Sequence, residues 1–238
     1  MSKIVVSQIS KSFNQHKILN DISFSVEKGE IIGIIGASGS GKTTLIQCML
    51  GILKSDQGTV TINDYFMPNL EALQNIGYMA QSDALYEDMT GLEHLKFFGH
   101  IYQIKKTSLT EAITHVANIT ELTPHLKKRV ANYSGGMKRR LSLAISLLHN
   151  PELIILDEPT VGIDPILKRK IWQSFYDLNR NGTTIIITTH IMDEAEACDK
   201  LLLLNNNEMI GFGAPDRLKS YYQVDSVEDI FIKVGEMN

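Results

Sequence analysis

The apolar residues of the chain are concentrated in short continuous runs, and the segments between them alternate apolar with polar positions at helical spacing. Continuous apolar runs of this length predict strands of a sheet covered on both faces. Three of these runs are followed by an amphipathic segment; the first such segment repeats its apolar positions at Leu45, Cys48, Met49 and Ile52. This alternation predicts an α/β fold with a mixed or parallel sheet, with strands in EIIGIIG, LIILDE, TTIIITTH and KLLLLNN.

The start and the middle of the chain depart from this alternation. Near the start, KIVVSQI and ISFSV predict two short strands joined by a turn. The middle contains few β-branched runs and instead predicts several helices, at residues 91–104, at 109–120 and from about Gly136. We therefore expect one domain over residues 1–238, with an α/β core at about 1–88 and 151–215, an inserted helical subdomain at about 89–150 and a tail at about 216–238.

Composition narrows the classes of protein to which the chain can belong. Its 238 residues are 43% apolar, which suffices for a buried core. The net charge of −4, with both signs interspersed, gives no basic stripe for nucleic acid. No apolar run approaches the roughly 18 residues that span a bilayer, and the start lacks the core of a signal peptide, so we expect a protein that faces the cytosol. Cys48 and Cys198, without CxxC or Cys/His spacing, are expected in the core.

A glycine-rich segment, GASGSGKT from Gly36 to Thr43, lies between the first of these strands and the helix after it. The pattern GxxxxGK[ST] binds phosphate because residues without bulk let successive backbone N–H groups point into one concavity at the positive end of a helix. In such a loop Lys42 reaches the β and γ phosphates and Thr43 coordinates Mg²⁺. The alternative is an ordinary glycine-rich turn, but the position between strand and helix favours a nucleotide site.

Two carboxylates, Asp157 and Glu158, end the apolar strand LIILDE. Ligands of open α/β sheets bind at the carboxyl ends of the strands, so the pair is expected beside the phosphate loop. We assign Asp157 to Mg²⁺ and Glu158 to the attacking water, as general base. The alternative is a solvated pair that opens a turn before Pro159.

Three further positions carry weaker signals. His190 ends the strand TTIIITTH, where an imidazole can donate to a γ-phosphate, although a histidine there is more often an ordinary surface residue. Gln81, in GYMAQ, offers an amide that contacts metal and water at once. Ser134 and two glycines precede an amphipathic helix, which is typical of a second phosphate site; the alternative is a helix capped by Ser134.

Together these residues make the sequence resemble the nucleotide-binding domain of ABC transporters, over essentially the whole chain and in the expected order. The resemblance implies a P-loop NTPase core with an N-terminal antiparallel β subdomain and an inserted helical subdomain, which hydrolyses ATP with Mg²⁺. Asp157 and Glu158 match the Walker B segment, where Asp157 holds the metal. Gln81 matches the Q-loop, a metal contact, Asp164 the D-loop and His190 the switch histidine. The Walker A loop that holds the nucleotide corresponds to Gly36, Ala37, Ser38, Gly39, Ser40, Gly41, Lys42, Thr43 and Thr44.

The same resemblance implies a partner for the second phosphate site. In this family two domains pair head to tail, and the signature of one closes over the nucleotide that the Walker A loop of the other holds. Here the signature corresponds to Ser134, Gly135 and Gly136, so they are expected at the γ-phosphate of a second ATPase subunit, in a homodimer. Phe13 falls where the family places an aromatic ring on adenine; the alternative places Phe13 in the core.

The signature differs from the common LSGGQ at Tyr133 and Met137. YSGGMKRRL and the tail SVEDIFIKVGE resemble the ABC-2 type of exporter, which includes multidrug pumps. This implies a separately encoded transmembrane permease and a location at the cytoplasmic face of the membrane, peripheral through the permease, with an isolated subunit that is soluble. A short helix of the permease is expected to dock near residues 81–89. Leu85 and Tyr86 form an apolar pair that is exposed there or, in the alternative, buried in a turn.

Two other functions fit parts of the sequence. A soluble ABC-type ATPase that acts on ribosomes or DNA usually joins two nucleotide domains or carries a long coiled coil, and neither pattern occurs here. A P-loop kinase needs an acceptor pocket and a lid, and it leaves the signature unexplained. Export by a permease therefore remains the favoured function, although the cargo and the direction of transport are set by the permease and not by these residues.

Overall fold

The computed structural model describes residues 2–236, which form two compact units. The first extends to Leu73 and resumes at Ile186, and the second is Gln74–Ile185. Residues 1, 237 and 238, included in the predicted core and tail, lie outside the described part. The predicted fold class is confirmed, because the chain combines an antiparallel sheet near its start with a mixed sheet and helices. The predicted boundaries of core, helical subdomain and tail stay a prediction.

The first unit contains an antiparallel sheet with the strand order β2-β1-β4-β5. The two first strands are longer than KIVVSQI and ISFSV indicated, because register shifts interrupt the alternation on which that prediction rested. One shift lies between Val6 and Ile9, where Gln8 has a φ of 53°. The bounds are Ser2–Phe13 for β1, His16–Glu27 for β2, Gln57–Ile62 for β4 and Tyr65–Phe66 for β5.

The same unit contains the strands that carry the phosphate loop. Their order is β10-β9-β3-β8, with residues 186–189 of β8 in this unit, and β3 pairs in parallel with β9. Every residue of β3 is buried, as its continuous apolar run predicts. The bounds are Ile31–Gly36 for β3, Thr184–Thr189 for β8, Lys200–Asn205 for β9 and Glu208–Gly213 for β10.

Helices cover this part of the first unit. The helix predicted from the apolar positions Leu45, Cys48, Met49 and Ile52 ends at Met49, before the last of them. Leu45, Cys48 and Met49 are therefore buried, whereas Ile52 is 61% exposed. The predicted tail folds into two helices, of which the last packs against its neighbours α7 and α8. Cys48 and Cys198 are buried and free, as expected. The bounds are Lys42–Met49 for α1, Leu70–Gln74 for α2, Met192–Glu196 for α7, Pro215–Tyr222 for α8 and Val227–Glu236 for α9.

The second unit holds the helices that the middle of the sequence predicted. β6 and β7 pair in parallel, and α5 packs against both. α3, α4 and α5 pack against one another, and two short 3₁₀ segments, Thr123–His125 and Val130–Asn132, lead into α5. The bounds are Ile76–Met79 for β6, Leu153–Asp157 for β7, Gly91–Ile101 for α3, Lys106–Ile119 for α4, Gly135–Leu147 for α5 and Pro165–Arg180 for α6. None of the helices in residues 2–236 has the length and apolar character to cross a bilayer.

Candidate functional site: a phosphate loop and a capped helix

The segment Gly36–Thr43 forms a tight loop between β3 and α1, as predicted. Gly39 and Gly41 have φ angles of 81° and 98°, in a region that side chains rarely adopt. At Gly41 a Cβ atom would also lie 2.8 Å from the carbonyl oxygen of Ile18. The backbone that turns the chain into α1 therefore requires glycine at this position.

The loop presents positive charge and hydrogen-bond donors. Lys42 is nearly buried, and its Nζ donates to the carbonyl oxygens of Gly36 at 2.8 Å and Ala37 at 3.0 Å, so the ammonium group lies across the loop. The buried Oγ of Ser40 has no hydrogen-bond partner within residues 2–236. The first turn of α1, where Thr43 and Thr44 lie half-buried, has no acidic residue to neutralise the helix end. This arrangement suits a phosphate anion.

His190 follows β8 in the same unit and is exposed. The turn after it is held by its neighbour Thr189, whose Oγ1 donates to the carboxylate of Glu194 at 2.6 Å and accepts from the N–H of Ile191 at 3.0 Å. Glu194 is almost completely buried. The backbone on both sides of His190 is therefore fixed while its imidazole remains accessible.

Phe13 ends β1 and is 46% exposed, so it does not belong to the core. The Nζ atom of Lys11 lies 5.5 Å from the centre of its ring and also pairs with Asp56 at 2.8 Å. Its accessible ring area leaves room for stacking on a planar ligand, as the family resemblance requires.

In the second unit, Asp157 and Glu158 stand at the end of β7. Asp157 is 1% exposed, whereas Glu158 is half-buried and has a φ of 54°, in the left-handed region. Burial raises the pKa of Tyr78, on the neighbouring strand β6, and the negative charge of Asp157 adds to this shift. The two carboxylates thus differ in environment, one enclosed and one accessible.

One residue that bonds to this strand end was not predicted from the sequence. Arg139 of α5 is nearly buried, and its guanidinium donates to the backbone carbonyl groups of Asp157 and Glu158. It also donates to the carbonyl groups of Ala80 and Gln81, so it connects the predicted Q-loop to the end of β7. The run KRR resembles the solvated face of an amphipathic helix, so nothing in the local pattern identified Arg139.

Gln81 itself follows β6 and is exposed. Beyond it, Tyr86 is 55% exposed, but Leu85 is half-buried, so the predicted exposed apolar pair consists of Tyr86 alone. The loop is anchored on α3, where the buried His94 accepts a hydrogen bond at Nε2 from the Tyr86 N–H, at 2.9 Å. Burial lowers the pKa of His94, which favours this neutral, accepting form.

Ser134 is the N-cap residue of α5, as the structural alternative in the sequence analysis proposed. Its Oγ accepts from the Met137 N–H at 3.3 Å, a long hydrogen bond. Ser134 and Gly135 are nevertheless exposed. The preceding Tyr133 is buried, and its hydroxyl donates to the carbonyl of His125 at 2.8 Å, which anchors the entrance to the helix. The start of α5 is thus capped and accessible at the same time.

A second helix start lies beside the signature. A Cβ atom at Gly136 would come within 2.9 Å of the carbonyl oxygen of Gly162, so the loop that carries Asp164 packs directly on α5. Asp164 is the N-cap of α6, and its Oδ1 accepts from the N–H groups of Ile166 and Leu167 at 3.1 and 3.0 Å. The predicted signature and D-loop residues thus share one surface of the second unit.

Comparison with known proteins shows which protein family combines the phosphate loop with the capped helix. The family model described as ABC transporter matches residues 19–161. The chain belongs to the ABC transporter family. The matched range includes the phosphate loop, Gln81, the signature, Asp157 and Glu158, and it ends before Asp164 and His190. Membership makes the chain an ATPase domain, which hydrolyses ATP to ADP and phosphate.

Similar proteins agree with this assignment. The chain is 38% identical over 239 residues to ABC transporter G family member 23 of Dictyostelium discoideum, covering 97% of this chain but 33% of that protein. It is 38% identical over 213 residues to Nod factor export ATP-binding protein I of Bradyrhizobium diazoefficiens, covering 88% of this chain and 70% of that protein. A solved structure described as the ATP-binding subunit of an ABC transporter matches with a TM-score of 0.92 at 25% identity, over 98% of this chain and 100% of that chain.

Proposed function

We propose that two copies of this chain pair head to tail around two ATP·Mg²⁺ and power export by a separately encoded ABC-2 type permease. The observation that carries the pairing is the start of α5, where Ser134 caps the helix and yet both Ser134 and Gly135 are exposed. Val161 and Ile166, on the loop and helix that carry Asp164, are 42% and 72% exposed. The accessible N-terminus of α5 can bind a phosphate group that a second copy holds, and the exposed apolar residues beside it can pack against that copy.

Within each copy we assign nucleotide binding to the loop Gly36–Thr44, with Lys42 on the β and γ phosphates and Phe13 on adenine. Magnesium is assigned to Thr43, Asp157 and Gln81, whose oxygen atoms are the ligands that Mg²⁺ prefers. The chemistry that Mg²⁺ supplies is neutralisation of charge on the phosphates.

Hydrolysis is assigned to three side chains of the same copy. Glu158 accepts the proton of a water whose oxygen attacks the γ-phosphorus, and ADP leaves with the bridging oxygen. Gln81 and His190 orient the water and the γ-phosphate. Support for His190 and Glu158 is their accessibility at strand ends, with the backbone around each held by buried groups.

A substitution at Glu158 tests the hydrolytic centre and the pairing. Glu158→Gln keeps the shape but removes the proton acceptor, so we expect bound ATP, turnover lower by roughly 10²-fold or more, and a dimer that accumulates with ATP in light scattering. The control is Glu152→Gln, the same change at an exposed residue just before β7, which should leave turnover unchanged. Wild-type turnover in Glu158→Gln removes Glu158 from the base role, and a Glu158→Gln monomer in saturating ATP contradicts the pairing.

Mixing two inactive variants tests the direction of pairing. Lys42→Ala disables the loop and Ser134→Arg fills the signature, so each homodimer carries two damaged sites. In a head-to-tail heterodimer both lesions fall in one site and the other site is intact. With half of the dimers mixed, symmetry predicts up to about a quarter of wild-type ATPase activity if the sites act independently. The two variants must be folded and must exchange subunits. If their mixture then shows neither ATPase activity nor ATP-dependent dimers, Ser134 does not bind the partner's nucleotide.

The proposed permease contact is an aromatic patch on the second unit. Tyr86 packs edge-on against Phe97 with ring centres 5.8 Å apart, and Phe97 and Ile101 of α3 are 40% and 54% exposed. Export, and the location at the cytoplasmic face of the membrane that goes with it, are supported by the YSGGMKRRL signature and by the exporter relative. We expect Tyr86→Ala to lose a multispanning partner during purification from solubilised membranes while Tyr221→Ala, at a residue 79% exposed in the first unit, retains it. Recovery of ribosomes or DNA instead of a membrane protein would contradict export.

A further inference from the structure

Arg139 donates several hydrogen bonds near the proposed catalytic residues, but the proposed function gives it no role. Its Nη1 donates to the carbonyl oxygens of Ala80 at 2.8 Å and Gln81 at 2.9 Å. Its Nε and Nη2 donate to the carbonyl oxygen of Glu158 at 3.2 and 2.8 Å, and Nη2 also donates to that of Asp157. One guanidinium therefore connects two segments, after β6 and at the end of β7, that are far apart in sequence.

The environment of Arg139 indicates why a guanidinium is needed. The side chain is 8% exposed, and it forms an ion pair with Asp83, whose Oδ1 lies 3.5 Å from Nη1. Asp83 in turn accepts from the hydroxyl of Ser142, also on α5, at 2.7 Å. A planar group with five N–H donors can bond to two peptide segments at once, whereas the compact ammonium of lysine cannot span them.

The bonds from Arg139 restrain the backbone of Glu158 where it is strained. Glu158 has a φ of 54°, a conformation that costs a non-glycine residue roughly 1–2 kcal/mol. Two donors of Arg139 meet the carbonyl oxygen of this residue, and a third contact reaches the residue before it. Because the backbone direction at Glu158 sets where its carboxylate points, releasing these bonds would turn the carboxylate away.

We propose that Arg139 is a positioning residue for hydrolysis, which locks the backbones of Gln81 and Glu158 into the arrangement in which their side chains orient and deprotonate the attacking water. The inference rests on the proposed roles of Gln81 and Glu158. In this role Arg139 acts through the backbone carbonyl groups that it bonds to, and not on the substrate directly. We expect it to act on the chemical step and not on nucleotide affinity, because its hydrogen bonds go to the backbone of residues 80–81 and 157–158 and not to the phosphate loop of the first unit.

The test compares Arg139→Lys with Arg140→Lys. Arg140 is the next residue of α5 and also donates to two backbone carbonyls, of Thr120 and Glu121 at 3.1 and 3.3 Å, but it does not reach β7. We expect Arg139→Lys to lower kcat by about 10- to 100-fold, the effect of a misplaced catalytic group, with KM and the Kd for ATP within about threefold. Arg140→Lys should lose some thermal stability and keep kcat. An Arg139→Lys protein that melts normally and keeps kcat within twofold of the wild type overturns the proposal.

A double-mutant cycle separates this proposal from the role of Glu158. If Arg139 acts through Glu158, Arg139→Lys should lower kcat much less in a Glu158→Gln background than in the wild type. Full additivity would place Arg139 in another process. If Glu158→Gln turns over normally, Glu158 is not the general base and the proposal for Arg139 fails with it. If Arg139→Lys turns over normally and Glu158→Gln does not, Glu158 keeps its role and the proposal for Arg139 alone fails. Should Arg139→Lys not fold, Asp83→Asn, which removes the paired charge, must lower kcat at constant KM for the proposal to survive.

Discussion

Ser134 allows its two possible roles, helix cap and phosphate ligand, to be separated by one substitution. Aspartate caps helices at least as well as serine, and its charge is favoured at a helix N-terminus. The same charge opposes a bound phosphate. Ser134→Asp should therefore keep the fold of α5 while it removes the proposed contact with the partner's γ-phosphate.

The expected sizes of the two effects differ widely. The Ser134 hydroxyl accepts a long hydrogen bond, 3.3 Å from the Met137 nitrogen, so the cap lies at the low end of the usual range, about 0.5 kcal/mol. The gain from the helix dipole is about 0.3–1 kcal/mol, so the free energy of unfolding should be unchanged or slightly higher. A carboxylate about 4–5 Å from a phosphate charge costs about 3–4 kcal/mol at an effective dielectric constant near 20. This corresponds to roughly two to three orders of magnitude in affinity at each shared site.

The assay measures ATP turnover, ATP-dependent dimerisation and the midpoint of urea unfolding for Ser134→Asp, Ser134→Ala and a control. Ala214→Asp is the control because it adds the same charge at the N-cap of α8, where no side chain caps the helix. We expect Ser134→Asp to be stable but without activity or dimers, Ser134→Ala to be slightly less stable and partly active, and Ala214→Asp to keep activity. Wild-type turnover in a stable Ser134→Asp protein would show that Ser134 is a helix cap and nothing more.

Three further predictions follow from individual side chains. Phe13→Ala should weaken ATP binding by about 1–2 kcal/mol, the loss of one stacked ring, with little change in folding, and Phe13→Trp should bind normally. An unchanged ATP affinity in the folded Ala variant would contradict the stacking role. Tyr133→Phe removes one of two donors to the His125 carbonyl, which still accepts from the Lys128 N–H, and should cost about 0.5–1.5 kcal/mol in urea unfolding, against none for Tyr221→Phe. Burial lowers the pKa of His149 to about 4, so the neutral ring contributes to the free energy of unfolding above the unfolded pKa near 6.5. This contribution is lost as pH falls from 6.5 towards 4, by up to about 1.4 kcal/mol per pH unit. The free energy of unfolding of His149→Phe should depend less steeply on pH in this range, and a slope equal to that of the wild type would contradict this.

Local patterns in the sequence predict those parts of the molecule that depend on neighbouring residues. The phosphate loop follows from glycine conformations at Gly39 and Gly41 and from the adjacent apolar strand and helix, all of which are local. The central strands followed from continuous apolar runs, and the capping of α5 followed from Ser134. Strands β4, β5, β6 and β10 were not predicted. β5 and β6 are too short to show a period, and β4 and β10 consist mostly of exposed or half-buried residues and give no continuous apolar run.

The contacts of long side chains and the burial of loop residues depend on segments that meet only in the folded protein. Arg139 and Arg140 are identical neighbours in the sequence, yet one is buried against four carbonyl groups of distant segments and the other is half-buried against different ones. The same holds for Leu85, which is half-buried although Tyr86 beside it is exposed. The left-handed backbone of Glu158 is likewise not encoded by its residue type. Helical periodicity indicates which face an arginine occupies, but its partners come from segments brought together by folding, and no local pattern contains them.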